Sequence, residues 1–327
     1  MSMEVVEILK KLVEIPSPSG EEEKIIEFLC GFIENLGFKV KIDNSNLIVN
    51  PSDFFVVTHV DPVSIKSSFS FNGKFAYGTG VCDAKGSIAA VLLALEKIDE
   101  LKYGIAFLSD EEEGGEGSKV FSSKYKPKMA VVMEPTSLTI ANKHYGSLEV
   151  EITVKGKASH GSMPEYGINA IEKSFELVKS LKSLERSVKQ SILRIEGGSD
   201  EYVIPNSCKL KIDFIFPPEM GVKKLKNQIF KLARNYGNIE ILEENMGFES
   251  GEVVKKLEKA IKMAGLDVKY SEMPSWTDAI NLRLNGCDAV VWGPGELKYC
   301  HTEKERIDLN EIVKASDVLV KLNKILD

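Results

Sequence analysis

Residues 54–61 read Phe-Phe-Val-Val-Thr-His-Val-Asp, a short apolar run that ends in a histidine and an aspartate. The run Phe54–Val57 predicts a strand, so that His59 and Asp61 lie just beyond its carboxyl end. Open α/β sheets bind their ligands at the carboxyl ends of their strands. This stretch therefore predicts a sheet with a ligand-binding edge.

Acidic residues or a histidine also follow three further predicted strands. Asp110–Glu113 follows Ile105–Leu108, Glu134 follows Ala130–Met133, and His301 comes shortly after Ala289–Val291. A further acid, Asp83, follows the turn Gly78-Thr79-Gly80. Each of these features alone is explained by a solvated acidic face or a helix cap. Together they predict one cluster, because the carboxyl ends of the strands converge in this architecture.

Carboxylates brought this close repel one another unless a cation lies among them. A pair of divalent metal ions removes the repulsion, and one carboxylate can bridge the two ions. Imidazole nitrogen and carboxylate oxygen together suit zinc. We therefore expect two Zn²⁺ ions as cofactors, with Co²⁺ or Mn²⁺ able to substitute.

The order of helices and strands predicts an α/β fold with a smaller insertion. Helices alternate with apolar strands in the first part of the chain and again near its end. Between them, residues 148–242 follow the order strand–helix–strand–strand–helix–strand, which is typical of a small α+β domain with an antiparallel sheet. We expect a catalytic domain made of residues 1–145 and 246–327, and an inserted domain of residues 146–245.

Composition limits the partners and the compartment. The 327 residues include 42 basic and 49 acidic side chains, a net charge of −7, which argues against nucleic acid as a partner. The sequence has neither a long apolar segment nor the pattern of a secretory signal, so we expect no membrane partner. Five scattered cysteines favour free thiols. These features predict a cytoplasmic protein.

Six motifs, in this order, resemble one family of zinc amidohydrolases and metallopeptidases. They are Thr58–Asp61, Gly78–Gly86, Asp110-Glu111-Glu112, Met133–Thr136, Ala158–Pro164, and Gly293-Pro294-Gly295 with His301-Thr302. The family includes acetylornithine deacetylase, succinyl-diaminopimelate desuccinylase, aminoacylase and glutamate carboxypeptidase. The resemblance implies a dinuclear-zinc, exopeptidase-like catalytic domain with an inserted, ferredoxin-like α+β domain that serves as lid and dimerisation domain.

The resemblance also implies a role for each matching residue. Asp83 would bridge the metals, His59 and Glu134 would complete one site, and Glu112 and His301 would complete the other. Asp61 would orient His59, and Glu111 would be the general base.

Three residues outside the metal motifs are also candidates for the site. The resemblance implies that His160 enters the active site of the partner subunit of a homodimer and stabilises the oxyanion. Asn206 is a candidate for the same site, although an asparagine in a turn is the simpler explanation. Arg283 is a candidate for binding a substrate carboxylate, with a helix-surface arginine as the alternative.

Two departures from the family pattern bear on the substrate. The segment Asp213-Phe-Ile-Phe216 lacks the arginine that many members have there, and no arginine closely follows Asp278. A diacid substrate needs such guanidinium groups, so the desuccinylase reaction is disfavoured. The chain resembles deacetylases that release lysine or ornithine from an N-acyl or carrier-protein-bound form. A dipeptidase or carboxypeptidase with the same metal site is the alternative, and a non-catalytic relative is a third.

Overall fold

The computed structural model describes residues 3–64 and 67–326, which divide into two compact units. The first unit contains Met1–Asn142, Ser250–Met273 and Thr277–Asp327, and the second contains Lys143–Glu249 and Pro274–Trp276. The boundaries predicted from sequence, 146 and 245, lie three and four residues inside those of the second unit. The second unit is thus an insertion into the chain of the first.

The helices and strands are numbered in chain order. The α-helices are α1 Met3–Glu14, α2 Glu23–Asn35, α3 Lys85–Leu95, α4 Glu116–Tyr125, α5 Ala170–Leu181, α6 Val222–Ala233, α7 Glu252–Met263, α8 Ala279–Leu284 and α9 Leu309–Ile325. The strands are β1 Val40–Asp43, β2 Asn46–Val49, β3 Phe54–His59, β4 Ser70–Phe71, β5 Phe75–Tyr77, β6 Gly104–Leu108, β7 Met129–Val132, β8 Ile140–His144, β9 Gly146–Lys155, β10 Lys189–Gly197, β11 Ser207–Phe216, β12 Gly237–Asn245, β13 Phe248–Glu249, β14 Tyr270–Met273, β15 Asp288–Val291 and β16 Arg306–Asp308.

The main sheet of the first unit has the strand order β1-β2-β6-β3-β7-β15-β8, and β14 also pairs with β8. Its centre is parallel: β3 pairs in parallel with both β6 and β7, and β7 pairs in parallel with β15. The carboxyl ends of these four strands therefore lie along one edge, as the sequence predicts. A second, small sheet has the order β16-β5-β4, and its strand β5 precedes α3 in the chain.

Helices cover both faces of the main sheet. Val56 of β3 belongs to a core shared with α1, α2, α3, α7 and α9, whereas the ring of Phe55 meets that of Phe121 on α4 at 4.9 Å. Adjacent residues of a strand point to opposite faces, so these two contacts identify the two layers. Helix α3 has every residue buried, which explains its nearly continuous apolar sequence.

The second unit is a four-stranded antiparallel sheet with the order β10-β11-β9-β12. Along β9, Leu148, Val150, Ile152 and Val154 are buried in a core shared with α5 and α6. The alternate residues Glu149 and Glu151 pair with Lys211 and Lys209 on the neighbouring strand β11. One face of the sheet is thus apolar and the other is charged, as expected for an α+β unit with helices on one side.

The α/β class with an inserted α+β domain is confirmed. The sequence did not predict the small sheet β16-β5-β4, the strands β8, β13 and β14, or the helices α1, α4 and α8. Within residues 3–64 and 67–326, no helix combines the length and the apolar character needed to cross a membrane. The five cysteines form no disulfide.

Candidate metal centre

Two groups of potential metal ligands lie at the carboxyl edge of the main sheet. His59, Asp83 and Glu134 form one group, and Asp83, Glu112 and His301 form the other. Within each group the ligand atoms lie within 4.8 Å of one another. Asp83 belongs to both groups, and Glu111 belongs to neither. The structure thus brings together the five residues predicted as ligands and places Asp83 between two sites.

The buried group is centred on His59, the last residue of β3. Its Nε2 lies 2.9 Å from Oδ1 of Asp83 and 3.9 Å from Oε2 of Glu134. Its Nδ1 lies 2.8 Å from the backbone carbonyl of Asp61. A proton on Nδ1 that bonds this carbonyl directs Nε2 toward the two carboxylates, which is the orientation of a metal-binding imidazole.

The second group is closer to solvent. Nε2 of His301 lies 2.9 Å from Oε1 of Glu112 and 3.4 Å from Oδ2 of Asp83, and the His301 side chain is 51% exposed. Asp83 therefore directs one carboxylate oxygen toward each histidine. A bridging carboxylate has this arrangement, in which a single side chain serves two cations.

The chemistry of these residues fits divalent metal ions. The donors are imidazole nitrogens and carboxylate oxygens, which zinc accepts. Oε1 of Glu134 is buried without a hydrogen-bond partner among the described residues, and leaving such an atom unpaired is costly. A cation between His59, Asp83 and Glu134 would satisfy it.

The electrostatics of the cluster also favour a cation. Burial lowers the pKa of His59, but the charges of Glu111, Asp61 and Asp83 outweigh this effect and hold the pKa well above its ordinary value. Hydrogen bonds to Asp83 and Glu112 raise the pKa of His301 to about 10. Burial raises the pKa of Glu111 and of Glu134 well above the ordinary range. In the metal-free protein, protons thus take the place of a cation.

Raising the pH is expected to destabilise the metal-free protein. His301 has a pKa of about 10 when folded against 6.5 ordinarily, so its stabilising contribution is complete below pH 6.5 and is lost as the pH rises toward 10. The raised pKa of Glu134 acts in the same direction. Metal ions displace these protons, so the increase in melting temperature on adding zinc should grow with pH. Thermal unfolding of chelator-treated and zinc-loaded protein across this range tests both trends; a zinc effect independent of pH contradicts the expectation.

Asp61 contacts His59, the residue that it is predicted to orient, and it also binds the turn at Glu111 and Glu112. Its backbone carbonyl faces His59, while its carboxylate lies 3.6 Å from Nδ1 of His59. The carboxylate oxygens accept the backbone N–H groups of Glu111 and Glu112, at 3.2 and 3.1 Å, and the hydroxyl of Ser19 at 2.6 Å. Asp61 therefore fixes the turn that presents Glu111 and Glu112, in addition to contacting His59.

Glu305 is a positioning residue that the sequence did not reveal. Its buried carboxylate accepts the backbone N–H groups of Gly80, Cys82 and Asp83, at 2.9, 2.9 and 3.1 Å. It follows His301 by four residues, so it joins the segment of one ligand to the loop of another. In the sequence it stands in a polar run that resembles a solvated loop, which gives no sign of its burial.

Replacing Glu305 by glutamine is expected to lower metal affinity by about 10–100-fold, as for other groups that orient ligands. Glutamine offers one acceptor oxygen and no charge, so it cannot hold all three N–H groups. Competition with a fluorescent zinc chelator measures the affinity. Glu303→Gln, an exposed neighbour, is the matched control; equal affinities for both variants would show that Glu305 does not position the loop.

Asp278 is a second buried acid that the sequence left without a role. It directly precedes α8, is fully buried, and neither carboxylate oxygen has a hydrogen-bond partner among the described residues. Burial raises the pKa of Asp278 to about 7. Its charge contributes to the raised pKa of Glu111 and of Glu134.

The structure does not bring Arg283 to the ligands. Its guanidinium lies 3.8 Å from Asp288 and 3.5 Å from the backbone carbonyl of Cys287, at the amino end of β15. The candidate ligands lie beyond the carboxyl ends of the strands. This position agrees better with the alternative of a helix-surface arginine than with binding of a substrate carboxylate.

His160 and Asn206 lie in the second unit. His160 is exposed, its Nδ1 accepts the backbone N–H of Ser162 at 3.3 Å, and its ring packs edge-on against Tyr202. In the tautomer that carries its proton on Nε2, this nitrogen would be a suitable donor to an oxyanion. Asn206 is exposed, and its backbone carbonyl accepts the N–H of Gly156. The catalytic roles of both residues stay predictions.

Known proteins are similar to this chain over nearly its whole length. The model of peptidase family M20/M25/M40 matches residues 56–324. A LysW-lysine/LysW-ornithine hydrolase of Saccharolobus solfataricus is 26% identical, covering 94% of this chain and 91% of that protein. An acetylornithine deacetylase of Proteus mirabilis is 26% identical and covers 97% and 95%.

Solved structures show the same fold at lower identity. A tripeptidase from Staphylococcus aureus superposes with a TM-score of 0.86 at 21% identity, covering 99% of this chain and 98% of that one. A dinuclear metal-binding peptidase from Bacillus subtilis superposes with a TM-score of 0.75 at 15% identity, covering 99% and 97%.

Proposed function

This chain belongs to peptidase family M20/M25/M40 and is an enzyme of that hydrolase family, and from this premise we propose that it releases lysine or ornithine from an acetylated or carrier-linked precursor. The observation that supports hydrolysis most directly is the pair of ligand groups that share Asp83. Glu111 belongs to neither group and is the neighbour of the candidate ligand Glu112 in the sequence. The names of the relatives, a LysW-lysine/LysW-ornithine hydrolase and an acetylornithine deacetylase, support this substrate class.

We propose two Zn²⁺ ions as cofactors, with Co²⁺ or Mn²⁺ as substitutes. His59, Asp83 and Glu134 would hold one ion, and Asp83, Glu112 and His301 the other. When bound, the ions would polarise the amide carbonyl and lower the pKa of a water molecule.

Glu111 is the general base of the proposed reaction. It takes a proton from the attacking water and returns it to the nitrogen of the departing amine. The bond between Asp61 and the backbone N–H of Glu111 holds this residue in place. His160 would donate a hydrogen bond to the oxyanion in the active site of the partner subunit of a homodimer.

A peptidase is the second candidate. The high structural similarity to a tripeptidase supports it, and the same residues would cleave a peptide bond equally well. Hydrolysis of N-acetyl-lysine, N-acetyl-ornithine and several di- and tripeptides by zinc-loaded enzyme separates the two. Selective release of lysine or ornithine supports the proposal, and a preference for peptides makes the protein a peptidase.

We also propose a homodimer joined through strand β10 of the second unit. This strand is at one edge of the sheet, and Ile192, Leu193 and Ile195 on it are 46%, 53% and 48% exposed. Phe175 on α5 is 62% exposed. An exposed apolar edge strand can pair with a strand of another chain, so we expect a second copy of the chain to bind here.

Leu193→Asp is expected to convert the dimer to a monomer. A carboxylate in the middle of a paired apolar edge is costly to bury. Sedimentation velocity measures the mass against the 36.2 kDa of a single chain. Leu242→Asp on β12, the opposite edge strand, is the control and should leave the dimer intact. A wild-type protein that sediments as a monomer would rule out the proposed assembly.

A further inference from the structure

Basic side chains are concentrated in two segments of the second unit, residues 179–189 and 222–234. They contain Lys179, Lys182, Arg186, Lys189, Lys223, Lys224, Lys226, Lys231 and Arg234, with Glu185 as their one acidic residue. The segments adjoin, because Lys224 pairs with Glu185 at 2.7 Å and the Gln228 amide donates to Glu185 at 3.3 Å. These two adjoining segments are called here the basic face.

The charge of this face is unusual for the chain. Residues of the first unit include 26 basic and 34 acidic side chains, whereas those of the second include 16 and 15. Lys224 and Lys226 are neutralised by Glu185 and Glu244. Lys223 and Lys231 have no acidic partner within 4.0 Å among the described residues, and both are exposed. Uncompensated positive charge is therefore held on the outer side of α6.

Lys223 and Lys231 lie on the solvent-exposed side of α6. Val222, Leu225, Ile229 and Ala233 face the core of the second unit. Lys223, Asn227 and Lys231 are spaced by four residues and so lie along the opposite side of the helix. With Met220, Gly221, Lys224 and Gln228 they line a surface groove of about 610 Å³. Phe230, which directly precedes Lys231 in the sequence, is 40% exposed.

We propose that the basic face binds an acidic segment of a partner protein. Carboxylates of such a segment would pair with Lys223 and Lys231, and the groove would accept its backbone and apolar side chains. Nucleic acid is the less suitable polyanion, because a long strand would extend beyond the face and meet the repulsion of a chain with a net charge of −7. A short acidic segment on a folded protein avoids that repulsion. Binding here needs no metal ion and is independent of the proposed activity.

Fluorescence anisotropy with a labelled twelve-residue oligoglutamate peptide tests the proposal on the full-length protein. Wild-type protein is expected to bind the peptide at low salt and to lose affinity as salt screens the charges. The double variant Lys223→Glu/Lys231→Glu should weaken binding on the order of tenfold or more. Circular dichroism and melting temperature establish that each variant is folded.

The matched control is Lys255→Glu/Lys262→Glu on α7, which makes the same change in net charge on two exposed lysines elsewhere. Binding should be nearly unchanged in this control. Equal weakening of both double variants, or no binding by the wild type at low salt, overturns the proposal. Preferential binding of a labelled oligothymidylate over the oligoglutamate peptide also overturns it, because the face would then serve nucleic acid.

Discussion

Replacing Glu111 by alanine is expected to lower kcat by about 10²–10⁴-fold while two metal ions stay bound. Glu111 belongs to neither ligand group, so its removal should not disturb the metal sites. Its backbone N–H, held by Asp61, is present in the variant as well, which keeps the turn in place. A loss of turnover would then be caused by the absence of the proton acceptor.

The measurement combines initial rates on the preferred amide with metal content by mass spectrometry. Glu113→Ala is the matched control, because Glu113 lies in the same turn and is exposed. The expected pattern is two metal ions per chain in both variants and near-normal turnover only in Glu113→Ala. Near-normal turnover by Glu111→Ala with intact metal would show that another group accepts the proton.

The sequence predicts which candidate ligands lie close together, because topology determines where most of these residues lie. His59 ends β3, Glu112 follows β6 and Glu134 follows β7, and these three strands pair in parallel. Once the strands are assigned, their carboxyl ends must meet at one edge. Apolar runs of four or five residues followed by an acid or a histidine were sufficient to indicate this arrangement.

The residues that position the ligands could not be found in the same way. Glu305 reaches three N–H groups more than 220 residues earlier in the chain, and nothing in its local sequence indicates burial. Asp61 was recognised as a neighbour of His59, but its bonds to the turn at Glu111 depend on how two loops pack. Contacts between loops arise from tertiary structure, which local patterns do not encode.

The basic face, too, could not be predicted from the net charge of the chain. A total of −7 describes the chain as a whole and led to the expectation of no polyanionic partner. In the folded protein this charge is distributed unevenly, and the basic residues of α6 adjoin those of residues 179–189. The argument against nucleic acid still applies, but it does not extend to a compact acidic protein.

Replacing Asp83 by alanine is expected to remove both metal ions, whereas replacing either histidine should weaken one site. Asp83 directs Oδ1 to His59 at 2.9 Å and Oδ2 to His301 at 3.4 Å, and it alone belongs to both ligand groups. Because metal ions supply several kcal/mol of transition-state stabilisation, activity should fall at least about 10³-fold.

Metal stoichiometry separates a bridging ligand from an ordinary one. We expect close to zero ions per chain in Asp83→Ala and about one in His59→Ala or His301→Ala, measured by mass spectrometry after dialysis against limiting zinc. Circular dichroism establishes that the variants are folded, which is expected because removing Asp83 also removes a buried charge from a cluster of carboxylates. One ion retained by Asp83→Ala would mean that Asp83 serves a single site, and the two ligand groups would then need a different bridge.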